Sequence, residues 1–231
     1  MALGNIDSRT VLVFKTHAIG WWLLVKALDQ LFELDERQKV FSIPLAEMYK
    51  ELELVTLDSK VPSQVVSLFD TARNLSLYSF FVYEFHSIAE LTGFLALEKS
   101  LRLKAERHSK SLSKSSLEKI MDRAIKEGWM TEEGFPNRTE IARVRVAQRK
   151  MMESIKLLKN ANSGLVDIAE PTEEEVDLEA REMKIVKLVC DSARKIRNGL
   201  AHGEVPLAPN SHSSLRMTAG LINQLFSFSH E

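Results

Sequence analysis

The sequence predicts an all-α protein, an antiparallel helical bundle with a basic helical insertion and an N-terminal helical extension. Apolar residues recur at spacings of three and four through most of the chain. The alternation expected of a half-buried strand appears only weakly, at residues 10–14 and 53–57. The 231 residues, 45% hydrophobic and 27% charged, suffice for one sizeable core.

Helical periodicity and capping signals define the expected helices. Pro62 suits the first turn of the long third helix, in which a break is expected near Asn74. Ser116 or Ser115 is expected to cap the fourth helix, and Gly128 to end it. The expected helices cover residues 16–34, 44–54, 62–108, 117–127, 138–159, 176–202 and 213–227.

Polar segments between these helices are expected as loops at residues 109–116, 131–137 and 160–172. Thr172 and Glu175 match a capping box in front of the helix that begins near Val176. We expect an N-terminal helical extension over residues 1–61 and a helical bundle over residues 62–231, with one continuous domain as the alternative.

The net charge of −1 gives no global attraction to nucleic acid or to acidic membranes. Local charge is nevertheless segregated, because basic residues prevail over residues 98–159 and acidic residues over 167–182. A basic surface can therefore still bind a polyanion.

Cys190 is the single cysteine, which excludes an intrachain disulfide and fits a reducing cytosol. We expect it to be a small buried apolar residue. No leader peptide is recognised, and the apolar run at residues 19–25 is too short to span a bilayer. The expectation is a cytoplasmic protein without membrane contact.

The run from Arg197 to Gly203 (RNGLAHG) carries the residue types best suited to chemistry. An apolar stripe at helical spacing precedes it, and a polar stripe lies on roughly the opposite side. Gly203 supplies the helix stop. The apolar stripe is Ile185, Val189, Ala193, Ile196 and Leu200, and the polar stripe is Asp191, Lys195, Asn198 and His202.

These residue types suit the cleavage of RNA, which carries its own nucleophile in the 2′-hydroxyl group. His202 can transfer protons near neutral pH, Arg197 can hold a phosphate, and Asn198 can orient either group. Arg197 lies about 140° from His202 around an ideal helix, so a two-fold dimer with facing helices is attractive. The alternative is an ordinary helix end, in which basic side chains complement the helix dipole.

Residues 195–203 (KIRNGLAHG) resemble the R-x(4–6)-H signature of the HEPN superfamily, the higher eukaryotes and prokaryotes nucleotide-binding domains. The spacing here is four, and the polar Asn198 directly follows Arg197. Residues 89–102 resemble the long early helix of such domains. Residues 116–128 resemble the segment that follows it in Abi-like and related prokaryotic branches, and the whole resemblance covers residues 76–227.

The resemblance implies an all-α bundle, commonly a homodimer, in which paired R-x4-H helices line a cleft. It further implies a metal-independent endoribonuclease of a toxin–antitoxin or defence system, with an RNA substrate, no cofactor, no metal and an antitoxin or nucleotidyltransferase partner. The catalytic residues would be Arg197, Asn198 and His202. The alternative is a non-catalytic dimerisation, interaction or nucleotide-binding module.

Two further residues are expected to support this site. Lys195 shares the polar stripe with His202. Glu98 lies on an apolar stripe, where a carboxylate usually has a cationic partner. Either Glu98 orients Arg197 or His202, or it forms an i,i+4 ion pair with Arg102.

The basic helix over residues 138–159 offers a surface for RNA. Arg145, Arg149 and Lys156 fall near one face and would contact phosphates, which position RNA without reading its sequence. The alternative is a solvated helix face. His86 and Glu90 have the spacing of metal ligands, yet no second pair accompanies them, so no metal site is expected.

Overall fold

The computed structural model describes residues 26–38, 43–135, 137–160, 169–202 and 211–227, with side chains described except at 155–160, 194, 196–198 and 200–202. Within these residues the chain is helical, without a strand, and the all-α prediction is confirmed. The α-helices of the described chain are α1 Leu45–Glu53, α2 Ser63–Tyr78, α3 Phe85–His108, α4 Lys110–Ser113, α5 Leu117–Lys126, α6 Arg138–Asn160, α7 Glu173–Glu182, α8 Ile185–His202 and α9 Ser211–Ser227.

The chain divides into two compact units, Met1–Glu33 and Leu34–Glu231. The described part of the first unit contains one 3₁₀ turn, Leu28–Gln30. A hydrogen bond from Lys26 Nζ to the carbonyl oxygen of Glu33 spans this part at 2.9 Å. The helix expected over residues 16–34 is thus not an α-helix in its described part, and residues 16–25 lie outside the described residues.

The core of the second unit is centred on α3, which packs along both α2 and α9. The buried residues of α3 cover about half of the circumference of the helix, and Ile88, Leu95 and Lys99 are exposed on the opposite side. Gly93 lets α9 approach closely, since a Cβ atom there would lie 2.6 Å from Leu215 Cδ2. The largest fully buried core side chains from these helices include Phe69, Leu97, Leu101, Leu215, Leu221, Ile222 and Leu225.

The break between α2 and α3 lies at residues 79–84, and the break predicted near Asn74 was wrong. Asn74 continues α2 with its side chain exposed. The actual break is stabilised from a distant part of the chain. Asp35 N donates to the carbonyl oxygen of Phe80 at 3.2 Å, and Tyr83 N donates to Asp35 Oδ2 at 3.2 Å.

The segment predicted as a loop at residues 109–116 contains the short helix α4, so that prediction was partly wrong. Ser109 caps α4 by accepting from Ser111 N at 3.2 Å. The two signals around α5 are confirmed. Ser116 Oγ accepts from Lys119 N, and Gly128 follows α5 with a φ of 69°, a conformation that glycine adopts without strain.

The helix predicted over residues 176–202 is two helices, α7 and α8, separated at Met183 and Lys184. The capping box at Thr172 is confirmed, since Thr172 N donates to Glu175 Oε2 at 2.8 Å. Met183 is buried and extended. Glu132 then starts α8, because its two carboxylate oxygens accept from Ile185 N at 2.7 Å and Val186 N at 3.1 Å.

Helices α6 and α7 form a hairpin whose main contacts are between the two helices themselves. The buried side chains of Ala142 and Val176 contribute to the apolar part of this arm. The arm is fastened where α7 meets α8, since Arg138 Nη2 donates to the carbonyl oxygens of Arg181 and Met183 at 3.1 and 3.0 Å. The basic helix of the sequence prediction is thus α6.

Candidate functional site

Helix α8 contains the three predicted catalytic positions, and its apolar side faces the core. Ile185, Val189 and Ala193 are buried, as the apolar stripe predicted. Val186 and Cys190 are buried beside them, so Cys190 has the expected environment of a small apolar residue. The core thus fixes which side of α8 faces solvent.

The polar side of α8 begins with a half-buried Asp191 and an exposed Lys195. The helical backbone continues to His202, so positions 198 and 202 follow Asp191 and Lys195 along the same side. The side chains of Arg197, Asn198 and His202 lie outside the described residues. Their convergence into one site therefore stays a prediction.

The position of Arg197 differs from that of its two predicted partners. It follows Ala193 by four residues and Cys190 by seven, and both of these are buried. Residues at these spacings share one side of a helix. The backbone of Arg197 therefore lies on the side of α8 that faces the core one turn earlier, and the backbone of His202 lies on the polar side.

Glu98 forms the i,i+4 ion pair that was one of its two expected roles. Arg102 Nε and Nη2 donate to Glu98 Oε1 at 2.9 and 2.7 Å. Arg102 also donates to the carbonyl oxygen of Ser113 at 2.9 Å, which ties α3 to α4. The ion pair thus secures the end of α3, and an orienting role toward Arg197 or His202 stays a prediction.

Two of the three predicted RNA-binding residues of α6, Arg145 and Arg149, face the acidic helix α7. Arg145 Nε and Arg149 Nη1 form ion pairs with the two oxygens of Glu179 at 3.0 and 2.9 Å. Both arginine side chains are still about half exposed, at 45% and 54%. The side chain of Lys156 lies outside the described residues.

Two neighbouring ion pairs continue this contact between α6 and α7. Arg143 Nη2 lies 2.9 Å from Glu173 Oε2, and Lys150 Nζ lies 2.7 Å from Glu175 Oε2. The hydrogen bond from Lys150, joined by that from the backbone of Thr172, lowers the pKa of Glu175 to about 2. Much of the positive charge of α6 is therefore balanced by α7.

A buried polar cluster between α2, α3 and α9 was missed by the sequence analysis. His86 Nδ1 lies 2.6 Å from Ser211 Oγ, which in turn lies 2.7 Å from Ser76 Oγ. On the other side of the ring, Gln38 Nε2 donates to His86 Nε2 at 2.9 Å. An amide nitrogen only donates, so His86 carries its proton on Nδ1 and is neutral.

The pKa of His86 agrees with a neutral ring. Burial, followed by the charge of His212, lowers the pKa of His86 to about 4. Burial also lowers the pKa of His212, whose ring centroid lies 6.5 Å from that of His86. Glu90 nearby has a pKa raised by burial, against the hydrogen bond that it accepts from Ser214 Oγ at 2.6 Å.

A serine hydroxyl in contact with a histidine is the pairing found in enzymes that use a serine nucleophile. Ser211 and His86 are 0% and 2% exposed, so a substrate cannot reach the serine oxygen. The cluster therefore fixes α9 to α2 and α3. No local sequence signal indicates this cluster, because Ser76, His86 and Ser211 come from separate helices.

Metal ligation and membrane insertion can be checked over the described ranges. There, no group of three or more histidine, cysteine, aspartate or glutamate side chains is arranged to hold a metal ion. Over the same ranges, no helix combines the length and the hydrophobicity needed to cross a membrane. His86 and Glu90 instead contact Ser211 and Ser214 of α9.

Comparison of the chain with known protein families, with curated proteins and with solved structures finds no match.

Proposed function

We propose that this protein is a metal-independent endoribonuclease of the HEPN type that cuts single-stranded RNA. In this reaction the 2′-hydroxyl group attacks the adjacent phosphorus, and the bond from phosphorus to the 5′-oxygen of the next nucleotide breaks. His202 transfers the protons, Arg197 holds the negatively charged phosphate, and Asn198 orients these groups. The products are a 2′,3′-cyclic phosphate and a 5′-hydroxyl group.

One observation carries the proposal: positions 197, 198 and 202 all belong to the last two turns of α8. The upstream part of α8 is held by the core through Ile185 and Val189 and by Glu132 at its first turn. Helix-borne groups on such a support keep a constant spacing, which catalysis requires. The exposed Lys195 supports solvent access along the polar side.

The proposed site is shared by two copies of the chain. The position of Arg197 is about 140° from that of His202 around the helix, so one helix does not bring both to a single phosphate easily. Two α8 helices that face each other across a two-fold axis would supply Arg197 from one copy and His202 from the other. The proposed cellular role is that of a toxin or defence effector, opposed by an antitoxin.

The test is cleavage of a labelled single-stranded RNA by the purified full chain in EDTA. The wild type is expected to produce 2′,3′-cyclic phosphate ends. His202→Ala is expected to lose activity by about 10²–10⁴-fold, the usual contribution of a general acid or base.

His108→Ala is the matched control, because it also removes an imidazole, at an exposed position outside the proposed site. The centroid of this ring lies 4.4 Å from that of Trp129. The variant is expected to cut RNA as the wild type does. A wild type no more active than His202→Ala would remove the enzymatic proposal.

The ion pairs of Glu179 with Arg145 and Arg149 favour a second candidate, a non-catalytic interaction or nucleotide-binding module, because they balance the basic surface that RNA would use. Arg197 and His202 would then stabilise the end of α8. This candidate predicts that His202→Ala lowers the melting temperature while no variant cuts RNA. Nucleotide binding beside a nucleotidyltransferase partner would appear as a melting shift with ATP that Arg197→Ala abolishes.

A further inference from the structure

A cavity of about 480 Å³ lies between α5, the turn that follows it and the start of α8. Its floor is apolar and consists of the buried side chains of Met121, Met130, Val186 and Cys190. Ile125 extends the apolar surface toward solvent and is 44% exposed. The volume falls within the range of cavities that bind small molecules.

Local hydrogen bonds hold the walls of this cavity in place. The carbonyl oxygen of Ala124 accepts from Trp129 N at 2.8 Å and from Met130 N at 3.3 Å, so the turn after α5 folds back tightly. Glu132 then joins the turn to the first residues of α8 through its two carboxylate oxygens. A ligand would therefore enter a preformed cavity and order little of the chain, which lowers the cost of binding.

The rim of the cavity is predominantly acidic. Glu118, Asp122, Glu133 and Asp191 lie around it together with Glu132, against Lys184 and Lys187. Asp122 and Glu133 are exposed at the opening. Carboxylates at the mouth of a cavity with an apolar floor attract cations and repel phosphates, so this cavity differs in chemistry from an RNA-binding surface.

We propose that this cavity is a binding site for a small organic cation with an apolar body. The apolar body would contact the floor at Met121, Met130 and Val186. The ammonium or guanidinium group would lie among the carboxylates of Asp122, Glu133 and Asp191. This site is independent of the proposed ribonuclease activity, since none of its residues belongs to the run from Arg197 to His202.

The experiment compares two probes with the same indole ring and opposite charge, tryptamine and indole-3-propionate, by calorimetric titration of the full chain at low salt. Tryptamine is expected to bind roughly tenfold more tightly than indole-3-propionate, because it carries the charge that complements the rim. The double variant Asp122→Asn/Glu133→Gln is expected to weaken tryptamine binding about fivefold.

Glu127→Gln is the matched control, since Glu127 is paired with Arg123 at the end of α5 and does not line the cavity. It is expected to bind tryptamine as the wild type does, and the melting temperature of each variant establishes that it is folded. The proposal is overturned by absence of tryptamine binding at about 1 mM, a weak affinity for such a site. It is equally overturned by equal binding of the two probes, or by unchanged binding in the double variant.

Discussion

His86 on α3 and Ser211 at the first residue of α9 lie in direct contact, with Nδ1 and Oγ 2.6 Å apart. Ser211 in turn contacts Ser76 of α2, so one imidazole connects the three helices of the core. The ring is neutral in this arrangement because Gln38 donates to its other nitrogen. A proton added at Nε2 would meet that amide donor at 2.9 Å, and the hydroxyl of Ser79, 3.1 Å from Nε2, would be a neutral acceptor that compensates the buried charge in part.

We therefore expect the stability of the protein to fall on acidification. The pKa of His86 is about 4 in the folded chain and 6.5 in a model peptide, so its contribution is complete above about pH 6.5 and is lost as the pH falls toward 4. The loss is on the order of 3 kcal/mol. The lowered pKa of His212 acts in the same direction, whereas the raised pKa of Glu90 acts in the opposite one.

Urea unfolding between pH 4 and pH 7 measures this dependence. His86→Gln is expected to flatten the profile, since glutamine does not titrate. His108→Ala, which removes an exposed imidazole, is expected to keep the slope of the wild type. Equal slopes in the wild type and His86→Gln would contradict the role of the buried ring.

Glu132 is expected to stabilise the fold through the start of α8. Glu132→Ala leaves the amides of Ile185 and Val186 without their acceptors and is expected to lower the free energy of unfolding by about 1–2 kcal/mol. Chemical denaturation measures the change. Glu133→Ala is the adjacent control at an exposed position and is expected to change stability by less than about 0.5 kcal/mol. Equal effects of the two substitutions would speak against this capping contact.

Close approach of α3 and α9 requires a glycine at position 93. In Gly93→Ala the new Cβ atom would lie 2.6 Å from Leu215 Cδ2, and Leu215 is fully buried. We expect a loss of about 1–3 kcal/mol, the usual cost of overpacking, measured by thermal or urea unfolding. A double-mutant cycle with Leu215→Ala provides the control, because the clash disappears when the leucine is shortened. Additive effects of the two substitutions would contradict a direct clash.

Release of the α6 arginines from α7 tests whether α6 binds RNA. Glu179→Gln removes the partner of both Arg145 and Arg149, and we expect RNA affinity to rise, with a steeper salt dependence as more phosphates are contacted. The cost in stability should stay below about 1 kcal/mol, because the arginines are half exposed. Filter binding over a range of salt concentrations measures the RNA affinity and its salt dependence. Glu174→Gln, an exposed residue on α7, is the control, and an equal response of the two variants would refute specific release.

Local signals in the sequence predicted local structure well. Gly128 and the pair Thr172 and Glu175 were assigned their capping roles correctly, because a cap depends on residues within one turn. Of the two serines predicted as the cap of α5, Ser116 has that role and Ser115 does not. Apolar periodicity likewise predicted the buried side of α8. The sequence was compatible with two roles for Glu98, and of these the i,i+4 ion pair with Arg102 is present.

The errors arose where a distant residue decides the outcome. The break at Met183 depends on Glu132, which lies 53 residues before Ile185. The break before α3 depends on Asp35, and the polar cluster joins His86 to Ser211 across 125 residues. No periodicity or spacing contains such information. The acidic character of residues 167–182 is evident in the sequence, but the pairing of this segment with α6 follows only from the hairpin geometry.

The junction between α7 and α8 spans two residues, Met183 and Lys184, with a helix on either side. Arg138 donates to the carbonyl oxygens of Arg181 and Met183 on the α7 side of this junction. Glu132 accepts from the amides of Ile185 and Val186 on the α8 side. Because both contacts lie at this junction, a displacement of α6 and α7 would move the first turn of α8, the helix that carries positions 197 and 202. A partner that binds α6 and α7 would thereby act on the proposed ribonuclease residues of α8 without contacting them.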